Sequence, residues 1–215
     1  MAIEIRRVTS ADEISAVQRQ RYAIYIEELG YANPNAANGE RTVADALDET
    51  GHILGAFDGG TLAGSVRINY GEFGEYAALG CVRQFGPYFP GRMKLITKLV
   101  IAPEYRAGTL MGRMGTAIYL HTIRTHPQTL FGLVACVPAH LGFFQRFGFR
   151  EIGAGFAHSA AGFSHPLVAA MYDQHHFRRI GCPLVKLCPY HDAASSDWFS
   201  RTFPARAEAI PCTSN

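Results

Sequence analysis

The sequence predicts an α/β protein in which helices cover a partly parallel β-sheet, and three observations support this. Strand, helix, strand, helix and strand patterns follow closely between residues 95 and 153, the succession typical of βαβ units. Residues 52–70 contain two short strand patterns joined by Asp58-Gly59-Gly60, a hairpin signal. The chain has 215 residues, of which 48% are hydrophobic and 18% charged, so it can bury a sizeable core.

The first half predicts a strand, a long helix, a loop and the hairpin. Alternating residues predict a strand at Ile3–Val8, and Thr9-Ser10 offers an N-cap for a helix at Ala11–Leu29 that Gly30 would end. Residues 31–50 are polar and rich in Asn, which predicts a loop. The hairpin strands are His52–Phe57 and Thr61–Tyr70.

The second half carries the βαβ pattern. Residues 71–93 hold five glycines and two prolines among aromatics, typical either of an irregular wall around an apolar tunnel or of a plain surface loop. The strands that follow are predicted at Leu95–Ala102, Thr129–Val137, Phe149–Gly153 and His165–Tyr172, and the helices at Thr109–Arg124 and Ala139–Phe147. We expect residues 1–173 to form the domain and residues 174–215 to be a C-terminal extension packed on it.

Composition excludes several classes of function. A formal charge of +2 is too small to indicate nucleic-acid binding by itself. No apolar run approaches a membrane span and the first residues have no signal-peptide pattern, so a cytoplasmic protein is expected. The cysteines, Cys81, Cys136, Cys182, Cys188 and Cys212, include no Cys-x-x-Cys pair, and adjacent His175 and His176 rarely face one ion. We therefore expect reduced thiols, no metal and no permanently bound cofactor.

One turn has the features of a phosphate site. In PEYRAGT a strand leads to a helix, whose N-terminus would present unpaired N–H groups and a partial positive charge. Arg106 stands before the helix, Gly108 permits a close backbone approach and Thr109 can cap it. A plain connection with a solvated arginine is the alternative.

Two stretches of the second half resemble the GNAT superfamily of N-acyltransferases. They are LVIAPEYRAGTLMG and AHLGFFQRFGFREIG, the second with Gly148-Phe149 at the spacing of the family. The resemblance implies a twisted mixed sheet, split near its middle, with helices on both faces. It also implies an oxyanion donor among the N–H groups of Leu99, Val100 and Ile101, where a bulge splays the strand. The acyl-donor residues that it implies are Ile101, Arg106, Gly108, Thr109, Leu110, Met111, Gly112 and Phe144.

The chain departs from that family in two places. Thr109 and Met111 stand where acetyl-CoA users have small residues, leaving less room for a pyrophosphate, so acyl-phosphopantetheine on an acyl carrier protein is favoured over acyl-CoA as the co-substrate. Phe144 lies where many acetyltransferases have the tyrosine that protonates the leaving thiolate. Phenylalanine cannot donate a proton, so that role is vacant or filled elsewhere.

The first half resembles N-acyl amino acid synthases of FeeM type and, more distantly, acyl-homoserine-lactone synthases. RYAIYIEELGY, with an acidic pair and a strand arginine downstream, carries the resemblance, and HPLVAAMYDQHHFRRIGCPL is similar to the C-terminal portion of the FeeM group. The residues that match are Arg21, Tyr25, Tyr31, Asp45, Asp48 and Arg67. The Glu-x-Ser-Arg run of the lactone synthases is replaced here by Leu-Ile-Thr-Lys at residues 95–98, which counts against lactone synthesis.

These residues suit the chemistry of an amino acid acceptor. Arg21 or Arg67 could bind its carboxylate through a guanidinium fork. Asp48 or Glu28 could take the proton of its ammonium, directly or through water, before the amine attacks a thioester. In the alternative interpretation, Asp45 and Asp48 only solvate the loop or form salt bridges with the arginines that fix its position.

The sequence therefore predicts an N-acyltransferase that moves a medium or long fatty acyl chain from acyl carrier protein to an amino acid or similar small amine. An acidic carrier protein would be steered by basic residues near the turn, namely Arg92, Lys94, Lys98, Arg106 and Arg113. Two alternatives stay open: an acetyl-CoA-dependent acetyltransferase, and a GNAT domain that binds acyl ligands without catalysis.

Overall fold

The computed structural model describes residues 3–158 and 162–204, and its centre is a mixed eight-stranded sheet. The order across this sheet is β1-β4-β5-β6-β7-β10-β8, with β9 paired to β10. The strands are β1 Glu4–Arg7, β4 His52–Asp58, β5 Thr61–Tyr70, β6 Met93–Ile101, β7 Phe131–Cys136, β8 Arg150–Glu151, β9 Phe156–His158 and β10 Gly162–Ala170. A separate two-stranded sheet pairs β2 Ala36–Ala37 with β3 Thr42–Val43.

Helices precede and follow these strands. The α-helices are α1 Ala11–Tyr22, α2 Leu47–Thr50, α3 Gly80–Arg83, α4 Leu110–Thr125, α5 Leu141–Arg146, α6 Gln174–Arg179 and α7 Ala193–Thr202. A π-helix covers Ala23–Glu28, and short 3₁₀ helices cover Gly74–Ala78, Gly86–Tyr88, Pro103–Tyr105 and Pro138–His140. Ser10 caps α1 as predicted, because its Oγ accepts a hydrogen bond of 3.2 Å from the N–H of Glu13.

The sheet is parallel at one junction and splits there. β6 and β7 run parallel and pair from Met93 with Phe131 to Ile96 with Val134, and the other paired strands of the sheet are antiparallel. Beyond Ile96, β6 pairs with β5 but not with β7 among the described residues. The predicted GNAT fold, a mixed sheet split near its middle, is therefore confirmed.

A β-bulge lies where the sheet splits. Ser65 of β5 pairs with Val100 and Arg67 pairs with Thr97, so Val66 alone faces Lys98 and Leu99. Lys98 adopts a φ of 54°, a conformation that is uncommon outside glycine. The bulge that the family resemblance implied is present, and its second residue, Leu99, begins the predicted oxyanion segment.

Helices cover both faces of the sheet. On one face Val17 of α1 packs with Ile53 and Phe57 of β4. On the other face Met114 and Ile118 of α4 pack in one cluster with strand residues that include Leu54, Ile68 and Ile96. Alternation along β4 and β5 sends successive side chains to these two cores.

The C-terminal segment packs into the main core. Trp198 and Phe199 of α7 contact Phe85 and Phe131, whose ring centroids lie 5.2 Å from each other. The irregular segment 71–93 thereby contributes a buried aromatic layer between β7 and α7. The boundary after residue 173 stays a prediction, and residues 205–215, with Cys212, lie outside the described residues. The other cysteines are free thiols.

Two local predictions were wrong in detail. The predicted helix at Ala11–Leu29 is α-helical only to Tyr22 and then widens into the π-helix, before Gly30 ends it with a φ of 65°. The predicted loop 31–50 contains β2, β3 and α2. Val43 of β3 is fully buried, so one apolar residue anchors this polar segment. Strands of two residues are too short to show a hydrophobic periodicity, which is why the sequence did not predict them.

Candidate functional site

A cavity of about 780 Å³ occupies the split between β6 and β7. Its walls come from the π-helix, the segment before α2, the bulged part of β6, the end of β7 and the 3₁₀ helix at residues 74–78. Predicted site residues in its wall are Tyr25, Tyr31, Asp45, Arg67, Leu99, Val100, Ile101, Arg106, Met111 and Phe144. The volume falls in the usual range for small-molecule sites.

Two arginines and two aspartates form a buried ionic network beside the cavity. Arg67 forms an ion pair with Asp45, and its Nη1 lies 3.0 Å from Oδ1 of Asp48. Nη1 of Arg21 donates to both oxygens of Asp48, at 2.9 and 2.8 Å. The side chains of Arg21 and Arg67 are 0% and 2% exposed, so their charges are balanced inside the protein.

The network has a cavity side and a core side. Asp45 and Arg67 line the cavity, whereas Arg21 and Asp48 lie behind them and are not part of its wall. Nε and Nη2 of Arg21 have no hydrogen-bond partner among the described residues. The structure thus brings the predicted acceptor residues together, but their positions differ. Arg67 can touch a ligand in the cavity directly, whereas Arg21 is linked to Arg67 only through Asp48.

Lys98 adds a second cation to the cavity. The bulge places its Nζ 3.0 Å from Oδ2 of Asp45. Burial lowers the pKa of Lys98, and Asp45 opposes that shift. Burial would raise the pKa of Asp45, but hydrogen bonds and charges from Arg67 and Lys98 outweigh it and lower that pKa. Asp45 is therefore a carboxylate at neutral pH, and its contact with Lys98 favours the protonated ammonium.

Tyrosines and apolar residues complete the acceptor end. The rings of Tyr25 and Tyr31 stack with centroids 6.1 Å apart. Burial raises the pKa of Tyr25 to about 12, so its hydroxyl stays protonated and can donate a hydrogen bond. Ile24, Leu29 and Leu47 line the same end of the cavity.

The predicted donor turn lies at another edge of the cavity. Arg106 reaches the wall, where Nη2 contacts Glu28 at 2.7 Å and Nε donates to the carbonyl of Ile101 at 2.9 Å. Gly108 and Thr109 are exposed, Leu110 is buried in the core, and these three and Gly112 are outside the cavity wall. Thr109 makes no side-chain capping bond to α4. Their roles in donor binding stay predictions.

The predicted basic patch was wrong for two of its five members. Lys94 is only 1% exposed and donates a hydrogen bond of 2.7 Å to Oγ1 of Thr122 in the core. Lys98 is held by Asp45 inside the cavity. Both belong to β6, where strand alternation and the bulge direct Lys94 into the core and Lys98 into the cavity. The prediction had grouped them with Arg92, Arg106 and Arg113 only because they are close in sequence.

Sequence analysis missed a cluster of three polar residues in the cavity wall. Nε2 of His158 lies 2.6 Å from Oη of Tyr76 and 3.2 Å from Oε1 of Glu75. All three line the cavity. The glycine- and aromatic-rich composition of residues 71–93 had suggested a cavity wall, and Tyr76 does line the cavity. No sequence pattern indicated that His158 would contact Tyr76.

The described residues show neither a metal site nor a membrane helix. No group of three or more His, Cys, Asp or Glu side chains in residues 3–158 and 162–204 is arranged to hold a metal ion. No helix in those same ranges is long and apolar enough to cross a membrane.

Comparisons with known proteins agree with this architecture. The structure of FeeM, an N-acyl amino acid synthase from uncultured soil microbes, superposes with a TM-score of 0.65 at 13% identity, over 86% of this chain and 99% of FeeM. BjaI, a CoA-dependent acyl-homoserine lactone synthase, gives a TM-score of 0.66 at 16% identity, over 85% and 91% of the two chains. These likenesses confirm the fold.

Two sequence comparisons address the family. The chain is 46% identical over 48 residues to an L-ornithine N(alpha)-acyltransferase of Rhodobacter capsulatus, a match that covers 22% of this chain and only 18% of that relative. A family model described as N-acyl amino acid synthase FeeM matches residues 16–173. That range includes the arginine and aspartate network, the bulged strand and the donor turn, and it confirms the resemblance inferred from the motifs. The chain belongs to the FeeM family of N-acyl amino acid synthases.

Proposed function

We propose that this chain transfers a medium or long acyl chain from a phosphopantetheine thioester to the α-amine of an amino acid. The observation that carries the proposal is one cavity in which Arg67 of β5 and Lys98 of the β6 bulge lie beside apolar wall residues. Its product would be an N-acyl amino acid. Family membership and the partial match to an L-ornithine N(alpha)-acyltransferase support it.

The acceptor carboxylate binds at the cation pair. Nε of Arg67 donates to Oγ1 of Thr97 at 3.1 Å, and Nη1 is held by the two aspartates. Nη2 is then available for the substrate carboxylate, and Lys98 supplies a second donor beside it. Arg21 and Asp48 hold Arg67 in place from behind, while Tyr25 and Tyr31 flank the acceptor side chain.

The donor thioester lies along β6. We assign the oxyanion of the tetrahedral intermediate to the backbone N–H of Leu99, within the bulge. The N–H of Val100 points to Ser65 of β5, because the bond from Ala102 N to Ala63 O sets a register in which Val100 and Ser65 are a hydrogen-bonded pair. Ile101 and Met111 line the path of the pantetheine arm, and the N-terminal turn of α4 with Arg106, Gly108 and Thr109 receives its phosphate. Leu110 and Gly112 shape that turn, and Phe144 packs against the acyl chain.

Acyl carrier protein is the proposed donor. Thr109 and Met111 narrow the turn in comparison with acetyl-CoA users, which suits one phosphate better than a pyrophosphate. Met111 lines the cavity directly, which supports this interpretation. Acyl-CoA is the competing donor, and it is favoured by the likeness to a CoA-dependent lactone synthase.

The reaction releases one proton, which a base must accept. An ammonium and a thioester give an amide, a thiol and one proton, with the C–N bond formed and the C–S bond broken. Asp48 and Glu28 were predicted to accept the ammonium proton, and that role stays a prediction. Each is engaged by an arginine, Asp48 by Arg21 and Glu28 by Arg106. The hydrogen bonds from Arg106, together with its charge, lower the pKa of Glu28.

The direct test is an assay of the purified chain with acyl thioesters of increasing length. Each acyl group is presented on holo acyl carrier protein and on CoA, with a mixture of amino acids, and products are identified by mass spectrometry. We expect N-acyl amino acids from medium or long chains, with the carrier protein the better donor. Transfer from acetyl-CoA alone would overturn the substrate assignment, and ligand-induced thermal stabilisation without thiol release would indicate a binding domain.

A further inference from the structure

We propose that Tyr76 and His158 form the proton-accepting pair of the reaction, with Tyr76 relaying the proton of the acceptor ammonium to the imidazole. The inference rests on the proposed function and concerns residues that the sequence motifs did not include. Its basis is geometric: Oη of Tyr76 and Nε2 of His158 lie 2.6 Å apart in the wall of the acyltransfer cavity.

The pair occupies the acceptor end of that cavity. The charges of Arg67 and Asp45 act on Tyr76, and the charge of Lys98 acts on His158. The carboxylate of an amino acid held by Arg67 and Lys98 would therefore place its ammonium, two bonds away, on the side where Tyr76 and His158 lie. Tyr25, Arg67 and Lys98 line the same cavity as Tyr76 and His158.

The protonation states suit a relay. Burial raises the pKa of Tyr76 far above neutrality, so the phenol is not itself a base and must pass on each proton that it accepts. Burial lowers the pKa of His158, Lys98 lowers it further, and Glu75 opposes them. The imidazole is therefore neutral at pH 7, the state that can accept a proton. Glu75, 3.2 Å from Nε2, then stabilises the imidazolium.

The proton transfers balance in the following way. The ammonium gives one proton to Oη of Tyr76 as the phenol gives its own proton to Nε2 of His158. The neutral amine attacks the carbonyl carbon, and the tetrahedral intermediate collapses with cleavage of the C–S bond. The second proton on nitrogen passes to the departing sulfur, giving the thiol. His158 then releases its proton to solvent beside Glu75, which is half exposed.

The test compares His158→Gln and Tyr76→Phe with the wild-type chain, using two kinds of acceptor. With the amino acid that the wild type acylates best, we expect kcat at pH 7 to fall about 100-fold in each variant. The double variant should fall little further, because both residues serve one transfer. With an aminooxy acid, whose amine is already neutral at pH 7, the loss should be about threefold or less.

A pH profile gives a second readout. Wild-type kcat should fall as pH drops through the lowered pKa of His158, and this acid limb should be absent from His158→Gln. A matched control is the stacked pair Tyr70 and His126 on the other face of the sheet. Tyr70→Phe and His126→Gln should leave both kcat and the acid limb unchanged. Melting temperatures check that Tyr76→Phe, which keeps the buried ring, is folded.

The outcomes separate this inference from the function on which it rests. Equal losses with the amino acid and the aminooxy acid, or an acid limb that persists in His158→Gln, would overturn the relay while N-acyl transfer stands. A wild-type chain that makes no N-acyl amino acid would overturn both. Selective loss with the ammonium acceptor is the result expected if the relay is correct.

Discussion

Arg67 and Lys94 are both buried cations on adjacent strands, yet their surroundings differ completely. Arg67 of β5 faces the cavity side, where Asp45 and Asp48 bind it. Lys94 of β6 pairs with Tyr70 and faces α4, where its Nζ donates to the neutral Oγ1 of Thr122. Among the described residues no carboxylate forms an ion pair with Lys94.

The difference separates a cation that the fold supplies with anions from one whose charge burial disfavours. Asp45 and Asp48 compensate the charge of Arg67 at the place where a substrate carboxylate would bind. Burial without a countercharge lowers the pKa of Lys94 to about 7. A buried cation is therefore evidence of a binding site only when the fold also supplies the anions that hold it. Four substitutions test this comparison.

Asp48→Asn should have the largest effect. The amide keeps the shape of the side chain but removes the charge that balances Arg21, which is fully buried. Leaving one partner of a buried ion pair uncompensated destabilises by about 3–5 kcal/mol. Urea denaturation at pH 7 measures the change in the free energy of unfolding.

Asp197→Asn is the matched control, because Asp197 is exposed on α7 and its change should stay within about 0.5 kcal/mol. If both substitutions had equally small effects, the buried network would not contribute to stability. The assignment of Arg21 and Asp48 as supports for Arg67 would then fail.

Arg67→Lys should impair acceptor binding more than donor binding. Lysine retains the charge but loses the planar fork that holds Thr97, both aspartates and the proposed carboxylate. We expect KM for the amino acid to rise about 100-fold, equivalent to roughly 2.7 kcal/mol, while KM for the acyl donor changes little. Steady-state kinetics with each substrate varied in turn provide the measurement.

Arg19→Lys serves as its control, since Arg19 is on the same helix as Arg21 but is an exposed residue whose Nη1 contacts Ser15. Equal increases in the KM of both substrates for Arg67→Lys would indicate general damage to the cavity. The carboxylate site would then need to be placed elsewhere.

Lys94→Met should stabilise the protein by about 2 kcal/mol at pH 7. The unfolded lysine is protonated below its ordinary pKa of 10.5, whereas the folded one is protonated only below about 7. Wild-type stability should therefore decrease as pH falls from 10.5 to 7, and the methionine variant should lack this dependence. Urea denaturation at pH 7 and pH 9.5 compares the two chains.

Thr122 keeps its hydrogen bond to the carbonyl of Ile118 in that variant, so the substitution leaves no isolated hydroxyl. A Lys94→Met variant that was less stable than wild type at both pH values would show that the buried ammonium of Lys94 stabilises the fold. Lys94 and Arg67 would then not differ in the way proposed.

The sequence predicted much of the fold and part of the site. The βαβ succession and the hairpin predicted the sheet, because apolar periodicity follows directly from burial on one or two faces. Similarity to the family motifs predicted that Arg67, Asp45 and the bulge lie close together, although they are far apart in the chain.

What sequence reasoning could not supply was side-chain direction and long-range contact. Lys94 and Lys98 are four residues apart, yet the bulge sends one into the core and the other into the cavity. His158 meets Tyr76 across 82 positions, through the pairing of β9 with β10, and no local pattern encodes such a contact.

His121→Gln should have the smallest effect, confined to acidic pH. His52 Nδ1 and His121 Nε2 lie 3.0 Å apart, so one ring must be neutral to accept the hydrogen bond. Burial, with the charges of His52 and Arg7, lowers the pKa of His121 to about 4. The unfolded ring gains a proton below pH 6.5 and the folded ring only near pH 4, so wild-type stability falls across that window.

Because the His121 ring is only partly buried, solvent screening limits the expected loss to about 1 kcal/mol. The glutamine variant should not show this loss. Thermal melts of both chains between pH 4 and pH 7 measure the difference. His175→Gln is the control, because His175 lies at the start of α6 and stacks on His191, away from this cluster. If both variants lost stability in parallel with wild type, acid sensitivity would come instead from Asp45, whose pKa is lowered in the folded protein, and the cavity face would be the acid-labile one.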